Sequence, residues 1–253
     1  MPPVSTPAIV LATIRYGETS KIARLATRDL GIQSAIAKGA LRPKSRIGAA
    51  LHLLSEGQAT LHLSRASDLH TLSQFDPAAV RVGLAERLDR FAAASVLSEL
   101  MLRFAPAGPH RPSYDLFRDA LALVEVAPGE AVEVLGLRCL WRLVSVLGFA
   151  PALGACVRDG AALDPDRPAL FSPQDGGFLC PRCGAGAPGS RMAPADRADL
   201  AALLDTGAEL PAPDPPHLAA HRRLFDRWVR RHLGDDAPLP ALTFWLDRRW
   251  EAA

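Results

Sequence analysis

AIVLATIRYGETSKIARLATRDLGIQSAIA, residues 8–37, decides the reading of the N-terminal part of this chain. Residues 8–14 are rich in strand formers, and YGETS at 16–20 supplies a turn. Residues 21–27 then alternate polar and apolar with a period near two, which puts alternate side chains on one face of a strand. Residues 31–37 repeat that pattern, and a basic loop is expected over 38–46. Further on, residues 51–54 and 59–63 flank Ser55-Glu56-Gly57-Gln58, a hairpin signal, and residues 69–72 add one more short run. About five strands in some 70 residues, with no long helix, suit a small closed β-barrel.

From Pro77 the period changes. Val80, Leu84, Leu88, Phe91, Val96, Leu100 and Phe104 recur every three to five residues, with no proline over 78–105, and predict one long amphipathic helix. Ser113 is placed to cap a second helix running to Val126. Residues 130–149 predict a third, with Val134, Leu137, Trp141, Val144 and Leu147 on its apolar face. Prolines crowd residues 150–216, where only 194–205 read as helix. Residues 217–233 predict a last helix with Leu218, Leu224, Trp228 and Val229 inward and Arg222, Arg223, Arg227, Arg230 and Arg231 outward, the latter read as a solvated face, with a second anionic contact as the alternative.

Composition narrows the class. Of 253 residues, 49% are hydrophobic and 22% charged, so the chain can bury a core and is not wholesale disordered. Charged residues interrupt every apolar run, which excludes a membrane span, and the N-terminus lacks a secretory pattern. Four cysteines do not make a disulfide scaffold, so a cytoplasmic, reduced setting is expected. The net charge of +2 conceals an asymmetry. Residues 1–50 carry eight bases against Glu18 and Asp29, a local +6 that points to a module facing a polyanion.

Two constellations carry chemistry. Lys38, Arg42, Lys44 and Arg46 lie in a stretch with no acid, and cations on a small barrel can neutralise successive phosphates. Arg15, Lys21 and Arg24 are their neighbours in sequence. The second constellation is Cys180-Pro181-Arg182-Cys183, a knuckle that presents two thiolates to one zinc ion. Cys156 is the nearest further cysteine, and Asp159 stands where a second C-x-x-C would close. Three thiolates and one carboxylate form an allowed donor set. Cys139, between helical apolar residues, reads as packing. GAGAPG at 184–189 spells a dinucleotide fingerprint but follows a knuckle rather than a strand. With no H-x-E, G-x-S-x-G, H-E-x-x-H or phosphate-loop motif, an enzyme is not expected, and a zinc hydrolase or deaminase is set aside.

These residues together resemble the RecO family of bacterial recombination mediator proteins. Residues 8–46, with their Y-G-E-x-S turn and KGALRPKSR segment, are similar to that family's N-terminal OB barrel. RCLWRLVSVLGFAPALGAC (138–156) and FSPQDGGFLCPRC (171–183) are similar to its path into and back from the cysteines, Asp159 being the departure. The resemblance implies an α+β protein: an N-terminal OB-fold β-barrel over 1–78, a helical domain over 79–152, a zinc-knuckle-like insert over 153–192, and C-terminal helices over 193–253 packing on the helical domain. It implies a non-enzymatic repair factor that binds single- and double-stranded DNA, anneals strands, and works with RecR and with single-strand binding protein (SSB) to load RecA. Lys38, Arg42, Lys44 and Arg46 match the basic barrel segment. The acidic C-terminal tail of SSB is expected on Arg138 and Arg142 beside Leu137 and Trp141, where cations rim an apolar face. A protein–protein adaptor whose barrel binds no DNA is the alternative.

Overall fold

The computed structural model describes residues 2–212, 214–234 and 238–248. The chain divides into two compact units, Met1–Pro128 and Gly129–Ala253. No helix among the described residues is long and apolar enough to cross a membrane.

In the first unit, five strands close on themselves: β1 (Val4–Tyr16), β2 (Ser20–Thr27), β3 (Gly31–Ala37), β4 (Glu56–His62) and β5 (Leu69–Ala79), in the order β1-β2-β3-β5-β4. All pairs are antiparallel except β3 with β5. The long β1 serves both sheet neighbours, Val4 to Ile9 pairing with β4 and Ala8 to Tyr16 with β2, and a bulge between Val10 and Ala12 bends it from one to the other. Inward positions include Ala8, Val10, Ala23, Leu25, Ala35, Ala37, Ala59, Leu61, Leu72 and Phe75. Alternation of small and large residues suits the interior of so narrow a barrel. This is the small closed barrel expected from the alternating runs, and the OB-like barrel that the family resemblance implies.

Two local readings are corrected. Gly57 is not in a hairpin turn but inside β4, and residues 51–54 form no strand. A Cβ on Gly57 would sit 2.3 Å from the Asp76 carbonyl oxygen, so the glycine marks close backbone approach between β4 and β5. A five-residue helix, α1 (Arg46–Ala50), capped by the Ser45 hydroxyl, occupies the connection instead.

The single helix expected from Pro77 is likewise interrupted. Strand β5 runs on to Ala79, and α2 (Val82–Ala85) precedes α3 (Leu88–Phe104). Arg81, its side chain only 6% exposed, binds Glu56 at 2.8 Å and Glu125 at 3.3 Å. That double ion pair ties the chain to β4 and to α4 (Arg111–Val126), and Arg87 then adopts extended backbone, restarting the helix. The cap of α4 is His110, whose ring accepts from the Ser113 amide. Helix α3 packs on β1 and β2, and the Ser98 hydroxyl donates to the Leu11 carbonyl at 3.3 Å.

The second unit is built on α5 (Val132–Val144), whose wide turn over Ser145–Phe149 ends at Gly148 with φ 95°. Then come β6 (Ala169–Ser172), β7 (Gly177–Leu179), α6 (Pro181–Gly184), β8 (Ser190–Met192), α7 (Pro194–Leu204), α8 (Pro215–His232) and α9 (Pro240–Asp247). The three strands form a sheet in the order β7-β6-β8. An aromatic cluster holds α5, α8 and the sheet together: Trp141 lies 5.1 Å from Phe225 and 6.0 Å from Trp228, and Phe171 lies 5.5 Å from Trp228. The Trp228 indole donates to the Phe149 carbonyl at 2.9 Å, so the apolar body is buried without orphaning its N–H.

Candidate metal centre and cationic surface

The knuckle forms because Cys180 directly follows β7 and caps α6. Pro181 fits the first helical turn, and the Cys180 sulfur accepts from the Cys183 amide at 3.4 Å. Cys156 is brought to it by the segment before β6. A Cβ at Gly177 would meet the Ala152 carbonyl oxygen at 2.2 Å, so only glycine lets that segment lie against β7. The Val157 amide then donates to the Phe178 carbonyl at 3.0 Å, and Gly160, at φ 71°, turns the chain so that its amide reaches the Cys156 carbonyl at 2.8 Å.

One donor atom each from Cys156, Asp159, Cys180 and Cys183 lies within 4.8 Å of all the others. Four ligands around a zinc ion at ~2.3 Å would stand roughly 3.8 Å apart, so the cluster needs to contract by about 1 Å at most. The expected convergence of Cys156 with the knuckle is therefore found, and the four residues could hold a metal ion. Val157, Leu163, Leu170 and Leu179 pack around the sulfurs.

Asp159 is the electrostatic centre of the group. Its Oδ2 accepts from the Cys183 thiol at 3.1 Å, the Cys180 thiol at 3.4 Å and the Arg182 guanidinium at 2.7 Å, while Oδ1 accepts from the Ala161 amide at 3.1 Å. Hydrogen bonds from Cys156, Cys183 and Arg182 hold this carboxyl well below the usual carboxylate range. The same carboxylate pushes the Cys183 thiol up to about 12, with burial adding to it. A divalent cation would invert this logic, because a coordinating thiol loses its proton to solvent and binds as the thiolate. Arg158 is a further brace, clamping Asp175 at 2.7 Å and donating to the Cys183 carbonyl at 3.0 Å. Neither Arg158 nor Arg182 was singled out from sequence. The available signal was a base inside or beside each half of a motif that also contains an acid.

On the barrel, register gathers part of the cationic set. Arg15 faces Lys21 across β1 and β2, and Lys21 faces Ala37, the residue before Lys38. The Leu41 amide donates to the Thr19 carbonyl at 2.8 Å, drawing the 38–46 loop to the same barrel end. Lys38, Arg42, Lys44, Arg46 and Arg15 are exposed, and Lys21 and Arg24 are half-buried. Arg24, an odd step from Lys21 along β2, projects from the opposite face. Among the described residues none of these seven has an ion-pair partner. Tyr16 and Ile14, half-exposed at 50% and 56%, lie beside them.

Leu137 and Trp141 are fully buried in the core of their own unit. Arg138 donates to the carbonyls of Ala202, Ala208 and Glu209 at 2.8–3.2 Å, and Arg142 is half-buried. The sequence pattern brought these four together as an open groove, whereas their apolar members face inward.

A closed OB-like barrel with an unpaired cationic end, carried in one chain with a helical unit bearing a cysteine-rich knuckle, defines a modular class of protein. Comparison with known proteins names the class. The family model "Recombination protein O N terminal" matches residues 1–81, and "Recombination protein O C terminal" matches residues 85–241. A protein named DNA repair protein RecO from Rubrobacter xylanophilus is 33% identical over 230 residues, covering 91% of this chain and 90% of its own. Proteins of the same name from Symbiobacterium thermophilum and Anaeromyxobacter are 36% and 30% identical, covering 88% and 89% of this chain and 80% and 90% of their own. The chain belongs to the RecO family of DNA repair proteins.

Proposed function

We propose that this chain is a non-enzymatic recombination mediator of the bacterial cytoplasm. It binds single- and double-stranded DNA through Lys38, Arg42, Lys44 and Arg46, with Arg15, Lys21 and Arg24 in support, and anneals complementary strands. It works with RecR and with SSB to load RecA. The observation that carries this reading is the barrel end, where cations stand without carboxylate partners among the described residues, in a member of a DNA repair family. An ordinary surface pairs its charges with both signs interspersed, whereas unpaired cations retain their attraction for phosphates. For the SSB tail, Arg138 and Arg142, both half-buried, are the two cations, while Leu137 and Trp141 are enclosed and Arg138 is already bonded to three carbonyls. The ion proposed for the Cys156, Asp159, Cys180 and Cys183 group is Zn2+, which suits a mainly thiolate donor set, in a closed structural role.

The deciding experiment is annealing of complementary oligonucleotides, with and without SSB, by the wild-type chain and by Lys38→Glu with Arg42→Glu. The wild type should anneal at low salt. The double variant should bind unrelated sequences with equally reduced affinity, because phosphate contacts carry no base information. Absence of annealing by the wild type, or a loss confined to one sequence, would contradict the reading and favour a protein–protein adaptor.

A further inference from the structure

We propose that the second unit carries a separate binding site for a single nucleic-acid strand, formed by Arg191, Arg223 and Arg227 around a cavity walled by His221. This deepens the nucleic-acid reading above and rests on it. The cavity, about 190 Å³, lies between β8 and α8. Small-molecule sites run from about 300 to 1,000 Å³, so this one takes a single group of a longer ligand rather than a whole cofactor.

Helix α8 sorts its arginines. Arg222 is ion-paired with Glu133 at 3.1 Å and Arg230 with Asp226 at 2.6 Å. Arg223, Arg227 and Arg231 are exposed, four residues apart on one face, and none has a carboxylate partner among the described residues. Four residues of helix advance about 6 Å. The row therefore presents cations at a regular interval comparable with the advance of phosphates along an extended strand. Arg191, on β8, adds an exposed cation at the cavity rim with no ion-pair partner among the described residues, and Arg227 is steadied by a 2.8 Å bond to the Ser190 hydroxyl. A regular row favours a polymer with one charge per unit over an acidic peptide, whose carboxylates come at irregular steps.

The cavity supplies what a surface row lacks. Met192 and Leu224, both buried, give it an apolar floor. His221 is 2% exposed, and neither ring nitrogen has a hydrogen-bond partner; the nearest carboxylate, Asp196, stands 4.0 Å away. A buried polar group without a partner is costly, and a ligand oxygen at the cavity meets that need. Asp196 is the one acidic residue of the lining. Guanidinium planes also stack on bases, which suits a cavity lined by no Phe, Tyr or Trp. Two separate strand sites on one chain would let each hold one member of an annealing pair.

The test uses the full chain and a fluorescein-labelled oligothymidylate, with anisotropy measured across a salt series. Arg223→Glu with Arg227→Glu should weaken binding on the order of tenfold at low salt. It should also lower the salt slope by about 1.4, two contacts at ~0.7 each for a single strand. Arg223→Gln with Arg227→Gln, which removes charge without adding repulsion, should give a smaller loss of the same kind at an unchanged melting temperature. Wild-type affinity and slope in both variants, with binding still lost in Lys38→Glu, Arg42→Glu, would overturn this site and leave the barrel reading intact. No binding by the wild type would overturn both. Loss of a labelled oligoglutamate probe in the α8 variants, with oligothymidylate binding unaffected, would assign the surface to an acidic peptide and overturn the proposal.

Discussion

Asp159 occupies the corner that a fourth cysteine would take, and one of its oxygens is shared by two thiols and Arg182. A carboxylate is a harder ligand than a thiolate, so the donor set is weaker than four cysteines would be. Asp159→Cys should tighten zinc, and Asp159→Ala should weaken it. Each change should be on the order of 10–100-fold, at least what loss of an outer-shell partner costs, read by competition with a chromogenic chelator. Equal affinity in all three proteins would remove Asp159 from the ligand set. Tyr114 makes a contrasting case. It is buried, its hydroxyl has no hydrogen-bond partner among the described residues, and burial pushes its pKa up. Tyr114→Phe should leave stability unchanged or raise it by up to about 1 kcal/mol in urea unfolding, since an orphaned hydroxyl is lost and the ring is kept. A clear destabilisation would mean that the hydroxyl has a partner. Cys180 and Cys183 were legible in sequence because knuckle spacing is local, and Cys156 because it is the nearest further cysteine. The roles of Arg158 and Arg182 were not, because their acids come into reach only once two loops have folded together.

Among the elements, alternation made β1 to β3 legible, and the same local signals misled at residues 51–58. Ser55-Glu56-Gly57-Gln58 has turn composition, yet Gly57 is needed by a strand 19 residues later in the chain, where the Asp76 carbonyl closes in. Gly57→Ala should cost about 2 kcal/mol or more, as overpacking against fixed backbone does, and guanidinium unfolding would measure it. An alanine variant as stable as the wild type would show that β4 and β5 can part at that point at little cost. The merged α2 and α3 reading failed for a related reason. Apolar spacing continues through 80–104, but Arg81 trades helical continuity for two carboxylates on β4 and α4. The exposed arginines of α8 show the limit of period reading most clearly. A helical wheel separates inside from outside, and only the acids of α5 and α8 separate paired cations from free ones.

At the scale of the whole molecule, the barrel and the candidate metal group belong to different compact units. A bound ion would join Cys156 to Cys180 across the 23 residues between them. By the chain-entropy argument used for cross-links, closing such a loop is worth about 3–4 kcal/mol. The cluster around the sulfurs is small, three buried residues with five partly buried ones packed on them, so although Phe171 and Phe178 anchor β6 and β7 in the core, the turns that carry the ligands have little else to hold them. Chelation should therefore speed amide exchange over residues 153–190, while β1 to β5, whose ladder encloses its own apolar core, exchange as before. The salt dependence of DNA binding at the barrel should also stay the same, because no phosphate contact proposed there draws on the knuckle. Hydrogen exchange with and without chelator, on protein of known metal content, reads both units in one measurement. Exchange that quickened equally in barrel and knuckle would make the metal a determinant of global stability and defeat the separation. Protection unchanged in both, with metal removed, would leave Cys156, Cys180 and Cys183 as packing residues whose loop is held by the pairing of β6 and β7, Gly177, Gly160 and the Arg158 clamp.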